Sequence, residues 1–147
     1  MIQRFYAAFA AHDGDAMAAC YAPNAHFSDP VFTDLNGDEP GQMWRMLTGR
    51  SEDLRIELVE HAADGDTGSA RWIAHYTFTQ TGKPVVNDVR ATFRFENGLI
   101  ADHRDDFDFK RWARQAIGFM GNFGFVRKAV RRRARQALDE YTATRNS

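Results

Sequence analysis

The spacing of apolar residues changes once along the chain, near Gly49, and this change constrains the fold more than any other feature. Before it, apolar residues recur at helical spacing, as Ile2, Phe5 and Phe9 do. After it, apolar and polar residues alternate, which is the spacing of half-buried strands. The chain is therefore predicted to place helices first and an antiparallel sheet second.

The first half is predicted to form three helices and one short strand. The helices lie over residues 2–11, Met17–Tyr21 and Glu39–Leu47, and the strand over Ala25–Phe32.

The second half is predicted to form four consecutive antiparallel strands. Apolar residues alternate over 54–58, 71–79, 85–95 and 99–107, and Asn97-Gly98 is typical of a two-residue hairpin turn. Helices packed on one face of such a sheet give an α+β fold.

Length and composition fit a single domain of this kind. The chain has 147 residues, of which 44% are hydrophobic and 27% charged, as in ordinary globular proteins. The single cysteine, Cys20, excludes an intramolecular disulfide and a cysteine-rich metal site, and it favours a reducing, cytoplasmic location. No apolar run approaches the roughly 18 residues that a membrane span needs.

Alternation also assigns strand residues to faces of the sheet, and it turns four polar residues inward among aromatic ones. They are Asp29, Asn87, His103 and Asp105. A buried carboxylate costs several kcal/mol unless it is paired or neutralised. Because burial also raises the pKa of a carboxyl group, such a residue suits general acid or base chemistry near neutral pH. Asp105, His103 and Asp29 are therefore the candidate catalytic residues.

A small apolar molecule is the predicted ligand, because the inward polar groups are surrounded by apolar side chains. The candidate binding residues lie on the inner strand faces and in the flanking helices: Phe27, Trp44, Trp72, Tyr76, Asn87, Val89, Phe107 and Trp112. Of these, Tyr76 can donate a hydrogen bond to a developing oxyanion.

The same polar residues also fit a purely structural interpretation. His103 and Asp105 are two apart on one strand and can pair with each other, and Asp29 precedes Pro30 and can cap a turn. Asn87 can satisfy a neighbouring backbone group. An acid/base enzyme and a non-catalytic ligand-binding or dimerisation domain with a structural polar network both remain open.

The chain resembles the SnoaL-like branch of the nuclear-transport-factor-two-like superfamily. The resemblance rests on four stretches within residues 2–117: the helical opening through 15–21, the strand at 25–30, the turn at 81–83 and the run 97–108. It implies a cone-shaped curved sheet wrapped around the N-terminal helices, an apolar pocket and a homodimer. Relatives include ketosteroid isomerases, polyketide aldol cyclases, limonene epoxide hydrolase and many non-enzymes, so the fold does not settle the activity.

The epoxide hydrolase ends in Arg-Asp-aromatic-Phe-Asp, which residues 104–108 resemble, and this places Asp105 at a catalytic carboxylate position. Its Tyr and Asn that help to hold water would fall at Phe27 and Asp29. Its remaining Arg and Asp would fall near residues 72–74, where this chain has neither. The water-activating set is therefore incomplete.

The polyketide cyclases keep an acidic residue near the same last-strand position and use it for proton transfer. That likeness implies an isomerase, cyclase or hydrolase in which Asp105 is the acid/base group, assisted by His103 and Asp29. It implies no metal and no cofactor.

The formal net charge of −1 hides an uneven distribution along the chain. Residues 1–108 carry −9 and residues 109–147 carry +8. A Gly/Phe-rich break at 118–124 precedes a basic helix predicted over Phe125–Tyr141, whose arginines lie opposite an Ala-rich apolar stripe. The chain is thus divided into a pocket domain over 1–117 and a helical extension over 118–147. We expect the stripe to pack on the domain or on a second subunit, in preference to nucleic acid or membrane binding.

Overall fold

The computed structural model describes residues 1–146, which form one curved sheet with helices packed against it. Those residues contain five α-helices, at Ile2–Ala10 (α1), Gly14–Ala18 (α2), Glu39–Arg50 (α3), Phe109–Ala116 (α4) and Gly124–Arg145 (α5). They contain six strands, at Tyr21–Ser28 (β1), Leu35–Asn36 (β2), Arg55–Asp64 (β3), Thr67–Phe78 (β4), Lys83–Glu96 (β5) and Leu99–Asp106 (β6). A short 3-10 turn at Phe119–Asn122 lies between α4 and α5. The predicted α+β class, with a C-terminal helix added to a curved sheet, is confirmed.

The strand order in the sheet is β2-β1-β6-β5-β4-β3. Strands β3 to β6 form the predicted antiparallel meander, and Asn97 and Gly98 turn β5 into β6 with positive φ values of 51° and 76°. Strand β1 lies parallel to β6, with Phe27 beside His103. This pairing brings Asp29, which follows β1, to the end of the sheet where β6 finishes.

A strand was predicted at Ala25–Phe32, and β1 starts and ends four residues earlier, at Tyr21–Ser28. The bounds of that prediction were wrong. Tyr21, predicted to lie in the second helix, is the first residue of β1 and pairs with Ile100. The strand ends early because Asp29 closes a turn. Its backbone N–H donates to the carbonyl oxygen of Phe32 over 2.8 Å.

Aromatic side chains fill the inside of the cone. Phe5, Phe27 and Trp44 are at most 3% exposed, and Trp72 is 6% exposed. The ring centroids of Phe9 and Trp44 lie only 4.8 Å apart. Because protein interiors pack to the density of organic crystals, this region leaves little room for a ligand.

Helix α5 packs on the domain of its own chain. Leu138 is 1% exposed and belongs to the main core, while Tyr141 packs against that core. Arg135 forms an ion pair with Glu39 at the start of α3. The apolar stripe of α5 therefore has a partner within the chain, although Ala129, predicted to lie on the stripe, is exposed.

Candidate functional site

Asp29 lies in the turn after β1, and its side chain organises that turn. One carboxylate oxygen, Oδ1, accepts hydrogen bonds from the backbone N–H of Val31 over 2.7 Å and of Phe32 over 2.5 Å. The other oxygen, Oδ2, has no hydrogen-bond partner among residues 1–146. Asp29 thus caps the turn with one oxygen and keeps the other available.

The pKa of Asp29 is raised to about 7, chiefly because burial disfavours the charged form. The backbone N–H of Phe32 lowers this pKa, the negative charge of Asp105 raises it, and the N–H of Val31 and the charge of Arg131 lower it. A carboxyl group with a pKa near 7 is present in both protonation states at neutral pH. It can therefore take up a proton and return it.

A second set of hydrogen-bonded polar side chains lies deeper in the protein, around His103 on β6. The indole Nε1–H of Trp44 donates to the Tyr21 hydroxyl over 2.8 Å, and that hydroxyl lies 2.7 Å from His103 Nδ1. His103 Nε2 lies 2.9 Å from Asp105 Oδ1. A carboxylate oxygen only accepts, so the contact with Asp105 places a ring hydrogen of His103 on Nε2. In a neutral imidazole with this tautomer, Nδ1 accepts the hydrogen of the Tyr21 hydroxyl.

Aromatic rings enclose this chain of hydrogen bonds. His103 is fully buried and Asp105 is 3% exposed, and the His103 ring lies 4.3 Å from that of Phe93 and 4.9 Å from that of Phe27. Burial raises the pKa of the Tyr21 hydroxyl well above its ordinary value. The pairing of His103 with Asp105 matches the structural alternative that the sequence left open.

A cavity of about 200 Å³ lies over Asp29 at the ends of β1 and β6. Its walls come from the β1 turn, the last residues of β6 and one face of α5: Ser28, Asp29, Pro30, Thr33, Arg104, Asp105, Asp106, Arg127 and Arg131. Six of these nine residues are charged. The space that contains the candidate catalytic carboxylates is thus lined by polar side chains, where the sequence predicts an apolar pocket.

The structure brings Asp29 and Asp105 to this cavity, but it places most of the candidate binding residues elsewhere. Phe27, Trp44, Trp72 and Val89 are buried in the main core and do not line the cavity. His103 is fully buried and does not line the cavity either.

Three further candidates lie between the sheet and α4. The Trp112 indole N–H donates to the Tyr76 hydroxyl over 2.7 Å, and Phe107 packs against the same small apolar cluster. Tyr76 is close enough to Asp29 for the negative charge of Asp29 to add to the burial that raises the pKa of the Tyr76 hydroxyl. Asn87 is half-buried on β5, beside Ala74 of β4.

Sequence reasoning missed two kinds of residue at the site. Tyr21 was assigned to a helix, so its inward position on β1 was not foreseen. Arg127 and Arg131 were placed on the outer face of the basic helix, but both line the cavity, and Arg131 is only partly exposed. Their spacing of four residues, which puts both on one helix face, was the available signal.

A larger groove of about 610 Å³ lies at the opposite end of the sheet. Met1, His61 and Phe95 are among the residues that line it, together with the β5–β6 turn at Gly98. None of the predicted catalytic residues lines this groove, and the chemistry argued from the sequence therefore belongs to the smaller cavity.

The effect of Asp29→Asn on the free energy of unfolding is expected to be more stabilising at pH 8 than at pH 5, by about 2 kcal/mol. The native pKa is about 7, whereas an aspartate in an unfolded chain titrates near 3.9. The native state therefore binds more protons between these values, and stability falls as pH rises from about 4 to about 7. Asparagine removes this ionisation and keeps an oxygen for the two backbone N–H groups. Urea unfolding at both pH values measures the difference, and equal effects at pH 5 and pH 8 would contradict it.

Residues 2–103 match a family model, that of the SnoaL-like domain. No curated protein matches the sequence.

Several solved structures share the fold. A protein from Catenulispora acidiphila with a ketosteroid isomerase-like fold, in complex with trimethylamine, superposes with a TM-score of 0.68 at 14% identity over 78% of this chain and 90% of that chain. A proposed polyketide cyclase from Xanthomonas campestris superposes with a TM-score of 0.66 at 22% identity, over 78% of this chain and 92% of that chain. A proposed isomerase from Rhodopseudomonas palustris superposes with a TM-score of 0.65 at 16% identity, over 80% of this chain and 93% of that chain. At these identities the likeness shows the fold alone.

Residues 1–146 contain no group of three or more His, Cys, Asp or Glu side chains placed to hold a metal ion. No helix in that part of the chain is long and apolar enough to cross a membrane.

Proposed function

The chain belongs to the SnoaL-like domain family, and we propose that it binds a small molecule over Asp29 and transfers a proton with that carboxyl group. The reaction type would be an isomerisation or cyclisation. Asp29 takes a proton from a carbon next to a carbonyl group, the electron pair of the broken C–H bond forms a C=C bond while the π pair of the carbonyl moves to its oxygen, and the proton is then returned to a carbon.

The state of the Asp29 carboxyl group carries this proposal. Its pKa is raised to about 7, it lines a cavity of about 200 Å³, and its Oδ2 has no hydrogen-bond partner among residues 1–146. A general acid or base works best when its pKa is near the working pH. Because Val31 and Phe32 hold Oδ1, the free oxygen keeps a fixed direction.

Asp29 is better suited to this role than Asp105, which the sequence favoured. Asp105 is 3% exposed, and His103 already occupies its Oδ1. In this proposal Asp105 lines the site and is held by His103, and the charge of Asp105 helps to raise the pKa of Asp29.

Names given to the structural neighbours agree with this reaction type without deciding it. One neighbour is a proposed polyketide cyclase and another a proposed isomerase. Both names describe rearrangements of carbon skeletons or double bonds that a positioned acid/base group can promote.

Hydrogen–deuterium exchange tests the proposal without knowledge of the natural substrate. A panel of small ketones, oxo acids and their esters is incubated with the protein in D₂O, and loss of the signal from hydrogens next to the carbonyl is followed by NMR. We expect exchange of at least one compound to rise with pH through about 7, as Asp29 ionises. Asp29→Asn should slow it by about 100-fold or more.

Asp38→Asn is the matched control, since it removes an exposed carboxylate remote from the cavity lining. It should leave the exchange rate unchanged. Equal exchange by Asp29→Asn and the unaltered protein would refute the role of Asp29. Binding of panel compounds without any exchange would instead favour the non-catalytic ligand-binding function.

Two expectations stay predictions, namely the homodimer implied by the family resemblance and the cytoplasmic location inferred from the single cysteine. Sedimentation velocity over a range of protein concentrations measures the first of them.

A further inference from the structure

Helix α5 brings two arginines to the Asp29 cavity, from a part of the chain beyond the family match at residues 2–103. Arg127 and Arg131 are four residues apart, so they share one face of the helix. The Nε–H of Arg131 donates to the carbonyl oxygen of Pro30 over 3.0 Å, which fixes the guanidinium group beside the Asp29 turn. The guanidinium carbon of Arg127 lies 5.2 Å from the centre of the Phe109 ring.

The two cavity arginines have no acidic partner among residues 1–146, where no carboxylate lies within 4.0 Å of their guanidinium nitrogens. Arg135, one turn further along α5, is instead engaged by Glu39 and by Asp139. Within the same residues Arg131 uses only its Nε–H, for the carbonyl oxygen of Pro30, and Arg127 makes no hydrogen bond. The terminal NH₂ groups of both guanidinium ions therefore remain available to a ligand.

The carboxylates of the cavity only partly offset the charge of its arginines. The lining contains three arginines and three aspartates: Arg104, Arg127, Arg131, Asp29, Asp105 and Asp106. Asp29 is only partly ionised at neutral pH because its pKa is about 7. The charges of the lining therefore sum to a small positive value, and two of the three arginines come from α5.

From this arrangement we infer that the substrate is a small oxo acid. Its carboxylate binds Arg127 and Arg131, and the carbon next to its ketone, which loses the proton, lies at Asp29. The inference rests on the function proposed above and adds the class of substrate. The planar guanidinium group presents parallel N–H donors that match the two oxygens of a carboxylate. The cavity, at about 200 Å³, is smaller than the roughly 300–1,000 Å³ of sites for drug-sized ligands. A compact acid fits these limits, and a multi-ring ligand does not.

The chemistry balances without a further reactant. The C–H bond next to the ketone breaks and its proton passes to Asp29 Oδ2; the electron pair of that bond forms the C=C bond of the enolate, and the π pair of the carbonyl moves to the oxygen. The substrate carboxylate takes no part in this step and serves as the handle. Arg131 also favours the charged form of Asp29, which keeps part of that carboxyl group ready to accept the proton.

Calorimetric titration with benzoate and its neutral counterpart benzamide tests the charge requirement apart from catalysis. We expect benzoate to bind at least about tenfold more tightly than benzamide, and added salt to weaken only benzoate. Arg127→Gln and Arg131→Gln should each weaken benzoate binding about tenfold. Arg132→Gln is the matched control, because it removes the same charge from an exposed position outside the cavity. Arg127→Gln breaks no hydrogen bond within the domain, so its result stands even if Arg131→Gln loses stability.

The outcomes separate this inference from the proposed function. Arginine-dependent benzoate binding that persists in Asp29→Asn supports the anion site, whether or not proton exchange is seen. Equal affinity for benzoate and benzamide, or equal weakening by Arg132→Gln and Arg127→Gln, overturns it. In that case Asp29-dependent exchange of neutral ketones would still uphold the proposed function.

Discussion

Replacing His103 with phenylalanine is expected to lower the free energy of unfolding by about 3–5 kcal/mol. The new ring fills the space of the imidazole among the surrounding aromatic residues but removes both of its hydrogen bonds. The Tyr21 hydroxyl then loses its acceptor, and Asp105, 3% exposed, loses its donor. Urea unfolding followed by tryptophan fluorescence measures the change.

A double-mutant cycle shows whether the lost partners cause this effect. His103→Phe combined with Asp105→Leu removes both ends of one hydrogen bond, so no buried carboxylate is left alone. We expect the double variant to be more stable than the sum of the two single effects by about 1 kcal/mol or more. Additive effects would contradict a coupled pair, as would a loss below about 1 kcal/mol for His103→Phe alone.

Replacing Trp44 with alanine is expected to cost about 3–5 kcal/mol and to create an apolar cavity inside the cone. Trp44 is 3% exposed, its ring lies 4.8 Å from that of Phe9 and 5.7 Å from that of Phe27, and its N–H donates to Tyr21. The variant loses this packing together with the hydrogen bond. Chemical denaturation measures the loss.

Added indole should then raise the melting temperature of Trp44→Ala in a concentration-dependent way. Indole has the shape of the missing side chain and an N–H for the Tyr21 hydroxyl, and a ligand that binds only the folded state stabilises it. Phe119→Ala is the control, because Phe119 is 77% exposed. It should change stability little and show no response to indole. An unchanged melting temperature for Trp44→Ala with indole would mean that the core closes over the gap.

Local periodicity predicted the inner face of β6 correctly. Asp102, Arg104 and Asp106 could not all be buried, so His103 and Asp105 had to face inward, and they are 0% and 3% exposed. The prediction succeeds because successive side chains of a strand point to opposite faces of the sheet. Once the polar residues are assigned to the outer face, the residues between them must lie on the inner face.

The same reasoning failed where contacts cross between distant segments. It placed Tyr21 on a helix and therefore missed the partner of His103, 82 residues away in sequence. It also predicted an apolar pocket from apolar inner faces, which stays a prediction; inside the sheet the ring centroids of Phe9 and Trp44 lie 4.8 Å apart. The spacing of apolar residues along the chain predicts neither the parallel pairing of β1 with β6 nor how tightly the core packs.

The sequence by itself determined the kinds of elements, their order and which carboxylates turn inward, because these follow from the spacing of neighbouring residues. Only the tertiary structure decided which of those carboxylates meets open space, and that Arg131, predicted to lie opposite the apolar stripe of the basic helix, reaches across to Pro30, 101 residues away. The cavity over Asp29 is lined by α5 and the end of β6 together. Such a site depends on how elements pack on one another, and packing is not a property of any single stretch of sequence.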